Sequence, residues 1–345
     1  MTPFAALRAD PEFAALRAVS ARLGRDPLQV QAAGGNTSLK RDGAMWVKAS
    51  GAWLAEAEAR DVFVPVAQAR LAAAVMAGED AEARDFTPEG VDAPPLRPSI
   101  ETVVHAVMPQ PVVLHTHCVA TIAAAIRADA AAAVRDRLAE FDPIFVPWVM
   151  PGLPLARALA AKAAPARRVA VLGNHGLVVA GETVAEAAAL LEEVSAQLTP
   201  TLETALVDPV SLTALETETY RPADAPALHR IARDPARLAM AAAGPFYPDH
   251  VVFLGPTLCV ARDGEGVEAA AARCGGPPLV ILPGLGAALR RDAGPAAEAM
   301  ARCLGDVIAR VAPGAPLSPL PAGSVAALTD WEAEKHRQAL SAGRA

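Results

Sequence analysis

Residues 97–117 constrain the fold and the chemistry of this chain more than any other stretch. Ser99 follows a proline and is the predicted N-cap of a helix whose first turn contains Glu101. A short apolar run then predicts a buried strand that ends at His115-Thr-His117. Side chains two apart on a strand point the same way. The two imidazoles are therefore expected to bind one metal ion, with a carboxylate close by.

A third histidine, His175, lies in the predicted hairpin turn Gly173-Asn174-His175-Gly176 between two apolar strands. Three neutral imidazoles with an open fourth position are typical of a catalytic zinc site. Glu101 is the candidate general base beside it. A structural zinc site, which usually has four protein ligands, is the alternative. His105 is interpreted as orienting Glu101 rather than binding the metal, and Cys118 as a packing residue.

Two loops of small residues favour an anion pocket. Gly35, Asn36 and Ser38 follow one apolar segment, and Ser50-Gly51 ends a predicted strand. Loops of this composition present backbone N–H groups and side-chain donors to an anion. A simple hairpin turn is the alternative interpretation of the first loop.

Composition excludes several classes of protein. The 345 residues contain 31 Lys plus Arg against 38 Asp plus Glu, a net charge of −7, and few aromatic residues. We therefore expect no nucleic-acid partner. No apolar run approaches the roughly 18 residues of a membrane span, so no membrane partner is expected. The four cysteines form no CxxC pair and the N-terminus does not resemble a signal peptide, which predicts a cytoplasmic protein.

The amino-acid composition of the chain changes after about residue 200, where Thr, Pro and Glu become frequent. This change predicts a domain over residues 1–205, a linker over 206–226 and an accessory domain over 227–345. In the last region, Asp249–Gly255 and Pro278–Gly286 are apolar runs that predict buried strands. The GxGxxG fingerprint of a dinucleotide site is absent.

Five short motifs occur in an order that resembles the class II aldolase/adducin family over roughly residues 10–200. They are Gly35-Asn36-X-Ser38, Ser50-Gly51, Ser99-X-Glu101, His115-X-His117 and Asn174-His175-Gly176. The resemblance implies an α/β fold with a central, mostly antiparallel sheet flanked by helices, here followed by a smaller C-terminal α/β domain. That C-terminal part is similar to the segment after the aldolase part of bacterial rhamnulose-1-phosphate aldolase/short-chain dehydrogenase fusions. The similarity rests on Tyr247-Pro-Asp-His250, Leu282–Gly286 and Asp330–Lys335.

The resemblance also assigns roles to residues. It makes His115, His117 and His175 the ligands of Zn²⁺ or another divalent metal, and Glu101 the catalytic acid/base. His105 and Asn174 support these groups. The residues assigned to the substrate phosphate are Gly35, Asn36, Ser38, Ser50, Gly51 and Ser99.

The activity implied is that of a zinc-dependent aldolase of carbohydrate metabolism. It would cleave a ketose 1-phosphate of the rhamnulose or fuculose type to dihydroxyacetone phosphate and an aldehyde, in a homotetramer. The alternatives are a metal-dependent sugar-phosphate epimerase or dehydratase of the same fold, and a non-catalytic adducin-like binding domain. Related enzymes often use a tyrosine as proton donor, yet the chain has only Tyr220 and Tyr247, both outside residues 1–205.

Overall fold

The computed structural model describes residues 2–201 and 211–331, and the chain divides into two compact units. The first unit holds the described residues of Met1–Thr121 and Ala131–Leu198. The second holds those of Ile122–Ala130 and Thr199–Ala345. Each unit has its own sheet, and the residues predicted to form the metal site all belong to the first.

The sheet of the first unit places two of the predicted metal ligands on a central strand. Its strands are β1 (Asn36–Arg41), β2 (Ala44–Lys48), β3 (Phe63–Ala67), β4 (Val112–Thr116), β5 (Ile144–Val146), β6 (Val169–Leu172) and β7 (Gly176–Gly181). Their order across the sheet is β3-β2-β1-β4-β7-β6-β5. Only β5 and β6 pair in parallel, whereas every other neighbouring pair is antiparallel. This arrangement confirms the predicted α/β fold with a mostly antiparallel sheet.

Helices flank this sheet. Those up to Leu198 are α1 (Pro3–Ala9), α2 (Pro11–Arg25), α3 (Gln68–Met76), α4 (Thr102–Val107), α5 (Val119–Ala125), α6 (Ala130–Arg137), α7 (Leu153–Ala160) and α8 (Val184–Leu198). Helix α2 packs against α8 and β1, and α8 packs against β4 and β7. Helix α4, which directly follows Glu101, packs against α3 and α7. The apolar side chains of the sheet are accordingly buried.

Two helix starts show how local sequence sets one element and a tertiary contact sets another. Asp10 adopts an extended conformation and its carboxylate accepts the N–H of Glu12, so α2 begins at Pro11. Helix α4 begins three residues after Ser99, and the predicted N-cap role of Ser99 is wrong. The reason is an antiparallel bridge between Ala49 and Pro98, which keeps the chain extended at this point. The hydroxyl of Ser99 instead accepts the N–H of Glu101, at 3.2 Å.

The second unit contains a smaller sheet with the strand order β8-β11-β10-β9. Its strands are β8 (Tyr220–Pro222), β9 (Cys259–Val260), β10 (Leu279–Leu282) and β11 (Gly286–Arg290). Its helices are α9 (Pro226–Ile231), α10 (Pro235–Ala242), α11 (Pro248–Leu254), α12 (Val267–Arg273), α13 (Pro295–Ala309) and α14 (Ala322–Asp330). A disulfide joins Cys259 to Cys274, while Cys118 and Cys303 are buried thiols.

Two predictions for this region need correction. The run Asp249–Gly255 is not a strand, since Pro248 occupies the first turn of α11 and Leu254 ends it. The predicted linker does not extend to residue 226, because β8 pairs with β11 inside the second sheet. Residues 206–210 of that linker, and the motif Asp330–Lys335 from residue 332 onward, lie outside the described residues. Within the described ranges, no helix has the length and apolar character needed to cross a membrane.

Candidate metal centre

Four side chains from three parts of the first unit meet at one buried point. His115 lies in β4 and His117 just after it, His175 lies in the turn between β6 and β7, and Glu101 directly precedes α4. The three imidazole rings form a nearly equilateral triangle, with centroids 5.1, 5.0 and 5.2 Å apart. All four side chains are buried, with at most 6% of any residue exposed. The structure therefore brings together the predicted ligands and the predicted base.

The carboxylate of Glu101 is held from three directions. Its Oε1 lies 3.0 Å from Nε2 of His175, and its Oε2 lies 3.5 Å from Nε2 of His115. The amide of Asn36 donates to Oε2 at 2.8 Å. Burial by itself raises the pKa of Glu101, but the charges and hydrogen bonds of the two histidines hold that pKa well below its ordinary value. Glu101 is therefore ionised at neutral pH.

The surroundings of His115 and His175 shift the pKa values of the two imidazoles in opposite directions. Nδ1 of His115 donates to the carbonyl of Leu177 at 2.9 Å, which leaves the Nε2 lone pair facing Glu101 and the other rings. Burial lowers the pKa of His175 to about 4 despite the opposing effect of Glu101, so this ring is neutral at pH 7. Burial acts the same way on His115, but the adjacent carboxylate outweighs it and raises the pKa. A metal ion competes for that nitrogen with the proton.

The donor set fits one divalent cation. One ligand atom from each of Glu101, His115, His117 and His175 lies within 4.8 Å of every other. Two ligands at about 2.1 Å from one ion are separated by at most about 4.2 Å, so the set closes around a single ion after small shifts. Three imidazoles with one carboxylate suit zinc and the neighbouring transition metals, and not the oxygen-preferring Ca²⁺ or Mg²⁺.

Two glycines allow the backbone to approach His115 closely. A Cβ on Gly176 would lie 2.4 Å from the carbonyl oxygen of Thr116. Gly35 has a positive φ of +65°, and a Cβ there would lie 2.9 Å from the carbonyl oxygen of His115. Larger residues at either position would push β1 or β7 away from the strand that carries the ligands.

The residues predicted to hold a phosphate occupy different environments. Asn36 already donates to Glu101, and Ser38 is fully buried and hydrogen-bonded to Nδ1 of His105 at 2.8 Å. Ser50 and Gly51 form a turn after β2, in which Gly51 has a φ of +70°. Ser99 lies beside Glu101 through its hydrogen bond to the Glu101 peptide.

The residues predicted to support the ligands lie next to the site. The His105 ring bonds to Ser38, and its own peptide N–H donates to the carbonyl of Glu101 at 3.4 Å. Asn174 adopts a left-handed conformation, with φ of +56°, in the turn that presents His175. Cys118 is buried, with its sulfur 3.6 Å from the hydroxyl of Ser195.

Two buried lysines at this site were not foreseen from the sequence. The ammonium of Lys48 donates to the carbonyls of Ala33 and Gly35 at 2.7 and 2.8 Å. The ammonium of Lys40 donates to the carbonyl of His105 at 2.6 Å, and burial lowers its pKa to about 7. The strand periodicity could have indicated Lys40, because it lies two residues after Ser38 and four after Asn36. On a strand, side chains at these spacings share one face.

The fold and the site together define a class of protein: an α/β protein with a buried cluster of three histidines and one carboxylate, of the kind that can hold a divalent metal. Residues 14–198 match the family model of the class II aldolase and adducin N-terminal domain. The chain belongs to that family.

Individual relatives share between 20% and 31% sequence identity with this chain. A protein of Bacillus subtilis (strain 168) named uncharacterized oxidoreductase YuxG is 31% identical over 175 residues. This alignment covers 47% of the chain and 25% of that protein, so the chain spans about a quarter of its relative's length. The N-terminal class II aldolase domain of a conserved protein from Thermoplasma acidophilum is 25% identical with a TM-score of 0.47, over 53% of this chain and 90% of that one. An L-fuculose-1-phosphate aldolase from Thermus thermophilus is 20% identical with a TM-score of 0.36, over 54% and 90%.

Proposed function

We propose that this protein is a metal-dependent aldolase that cleaves a ketose 1-phosphate of the rhamnulose or fuculose type. The products are dihydroxyacetone phosphate and an aldehyde. The observation that carries the proposal is the position of the Glu101 carboxylate, ionised and in contact with two of the three clustered imidazoles. A base adjacent to a metal site is the arrangement that proton transfer at a carbon next to a carbonyl requires.

In this proposal, the three histidines bind the metal and Glu101 transfers the proton. His115, His117 and His175 hold the cation, which we assign as zinc. When bound, such a cation acts as a Lewis acid on the ketone and neighbouring hydroxyl oxygens of the substrate. The Glu101 carboxylate then faces the substrate carbons, with its orientation fixed by the amide of Asn36.

In the cleavage direction, the C4 hydroxyl loses its proton and the C3–C4 bond breaks. Glu101, which is ionised at rest, takes up one proton from solvent and delivers it to C3 of the dihydroxyacetone phosphate fragment, which balances the proton lost from the C4 hydroxyl. In the synthetic direction it removes that proton from C3 again. Both tyrosine hydroxyls already donate hydrogen bonds. The hydroxyl of Tyr220 donates to the carbonyl of Pro277, and that of Tyr247 to the sulfur of Cys303, both within the second unit. The C4 proton therefore goes to water or to a group of a neighbouring subunit.

The test is the variant Glu101→Gln, which keeps the size of the side chain but cannot accept a proton. We expect it to retain zinc by elemental analysis and to lose solvent exchange of the hydroxymethyl proton of dihydroxyacetone phosphate. His115→Ala is the control that should lose the metal itself. Wild-type exchange in the Gln variant would overturn the role of Glu101, and a full metal content in the Ala variant would overturn the ligand set.

Product analysis separates the remaining candidates. Across a panel of ketose 1-phosphates, only an aldolase releases two carbonyl fragments, whereas an epimerase or dehydratase returns one product. Release of a single product would replace the proposal by one of these activities, and no turnover with metal bound would favour a non-catalytic role. Sizing of the purified protein tests the predicted homotetramer, and cell fractionation tests the predicted cytoplasmic location.

A further inference from the structure

Lys40, in strand β1, contacts both ends of the connection between α4 and β4. Its ammonium donates to the carbonyl of His105, in the last turn of α4, at 2.6 Å. Its peptide N–H donates to the carbonyl of Pro111, directly before β4, at 2.9 Å. One residue thus links the helix that follows Glu101 to the strand that carries His115.

Two carbonyls at the end of α4 receive their donors from side chains. The carbonyl of a helical residue normally accepts the N–H of the residue four positions later. For His105 that residue is Pro109, which has no N–H, so Lys40 supplies the donor instead. The next carbonyl, that of Ala106, accepts the side-chain amide of Gln68 from α3 at 2.8 Å. Of these two donors, only Lys40 belongs to the sheet.

Three side chains on one face of β1 contact the segment that carries the base. Asn36 donates to the carboxylate of Glu101 at 2.8 Å. Ser38 bonds to the ring of His105 at 2.8 Å, and Lys40 donates to the carbonyl of the same residue. Two residues of a strand span about 6.6 Å and four residues of a helix about 6.0 Å. This near-equal spacing lets alternate side chains of β1 hold α4 along its length.

The same strand fixes the base relative to a metal ligand. In the β1–β4 register, Asn36 pairs directly with His115. The backbone of β1 therefore holds the strand that carries His115, while its side chains hold the helix that follows Glu101. Because a reacting group displaced by about 1 Å can lose about a hundredfold in rate, the placement of α4 on β1 bears on proton transfer.

The charge of Lys40 opposes folding where it lies. The residue is 6% exposed, and within the described part of the chain no carboxylate pairs with its ammonium. Burial of an unpaired ammonium is unfavourable, whereas the unbranched apolar side chain of methionine is easily accommodated in a protein interior. Folding stability alone therefore does not account for a lysine at this position.

We propose that Lys40 is a positioning residue that places the Glu101 carboxylate at the metal centre by holding the end of α4 on β1. This inference rests on the proposed function, since Glu101 is the base of that reaction. The side-chain hydrogen bond of Lys40 goes to α4 and not to any of the three clustered imidazoles. Lys40 therefore acts on the rate of proton transfer and not on metal content.

The experiment compares Lys40→Met with the matched control Gln68→Met in the zinc-loaded full-length protein. Each variant loses one side-chain hydrogen bond to a carbonyl at the end of α4. The measurements are zinc content, the midpoint of urea unfolding, and kcat and KM for solvent exchange of the hydroxymethyl proton of dihydroxyacetone phosphate. Crystal structures of both variants report the position of the Glu101 carboxylate independently of activity.

We expect Lys40→Met to lower kcat by roughly tenfold to a hundredfold, with KM changed by less than about threefold. Its zinc content should equal that of the wild type, and its unfolding midpoint should be no lower than that of Gln68→Met. Its Glu101 carboxylate should be displaced by about 1 Å relative to β1. Gln68→Met should keep both kcat and the carboxylate position of the wild type.

Four outcomes would contradict the inference. Wild-type kcat in Lys40→Met, or a lowered kcat with Glu101 in its original place, would overturn it and leave the aldolase proposal intact. Equal losses of kcat in the two variants, or a Lys40→Met protein that does not fold, would make Lys40 a purely structural residue and would overturn it as well. A wild type that catalyses no exchange would refute the proposed function and this inference together.

Discussion

His250 lies inside the second unit on α11, with 1% of its surface exposed. Neither ring nitrogen has a hydrogen-bond partner among the described residues, and the ring of Tyr247 lies 5.5 Å away. Burial lowers the pKa of His250 to about 4. In the unfolded chain the same group titrates near 6.5. Between these two values the unfolded state binds more protons than the folded state, so His250 makes the protein less stable as the pH falls.

The variant His250→Leu removes this titration while keeping a buried side chain of similar size. Above pH 6.5 we expect it to be no less stable than wild type, because no hydrogen bond is lost. Between pH 6.5 and 4.5 the wild type should lose more free energy of unfolding than the variant, up to about 3 kcal/mol if the full difference in pKa is expressed. Urea unfolding at a series of pH values checks this. Parallel pH profiles would show that His250 does not titrate as a buried group.

At the scale of single residues, the sequence predicted the clustering of the candidate ligands better than it predicted hydrogen bonds. His115 and His117 were predictable because the two-residue repeat of a strand fixes their common direction. The contact between Asn36 and Glu101 was not predictable, because it joins side chains 65 residues apart and depends on the β1–β4 register. Asn36 was accordingly predicted to contact a phosphate, whereas the structure has its amide on the carboxylate.

Helix α2 depends on a glycine in its last turn. A Cβ built on Gly24 would lie 2.1 Å from the backbone nitrogen of Ala55 and 2.5 Å from the carbonyl carbon of Leu54. The short 3₁₀ helix Leu54–Glu56 therefore packs directly on the backbone of α2. We expect Gly24→Ala to destabilise the protein by about 1–3 kcal/mol, although alanine is the better helix former. Thermal or chemical unfolding measures the change.

Gly323 supplies the matched control for this substitution. It also lies in a helix, α14, but a Cβ there would meet no atom within 4 Å. Gly323→Ala should therefore be neutral or stabilise the protein by up to about 1 kcal/mol. The same destabilisation at both positions would mean that helix propensity, and not the contact with Ala55, governs Gly24.

At the scale of elements, one error came from a short apolar run and another from a tertiary contact. The run at Asp249–Gly255 predicted a strand because apolar runs of this length do not distinguish a buried strand from a buried helix. Pro248, whose fixed φ suits the first turn of a helix, was the deciding residue. In the case of α4, the local signal for a start at Ser99 lost to a tertiary contact, the bridge between Ala49 and Pro98.

For the whole molecule, the motifs predicted the fold of the first unit well. Their order along the chain corresponds to the order of strands and turns around the site. The second unit was less predictable, since β8 and β9 are only three and two residues long. Strands this short carry no periodicity, and their pairing with β11 and β10 is set by packing around the buried residues of that sheet.

Metal binding should slow amide hydrogen exchange in the first unit, and this effect can be measured for individual residues. The three candidate histidine ligands lie in or just after β4 and in the turn before β7, and the backbones of these two strands pair along their length. A ligand present at about a hundred times its dissociation constant stabilises the native state by about 2.7 kcal/mol. We expect zinc to slow amide exchange in β4 and β7 by up to roughly a hundredfold relative to the chelated protein.

The second unit and a ligand variant provide the controls for this measurement. Reducing the disulfide between Cys259 and Cys274 should speed amide hydrogen exchange of the residues from β9 to the end of α12. The reason is that the disulfide no longer closes this loop and no longer restricts the unfolded chain. That change should not alter the response of β4 and β7 to zinc. His175→Ala should abolish the zinc response while leaving the effect of reduction unchanged, since the two perturbations act in different units. Zinc protection that persisted in His175→Ala would place the metal elsewhere than at the three-histidine centre.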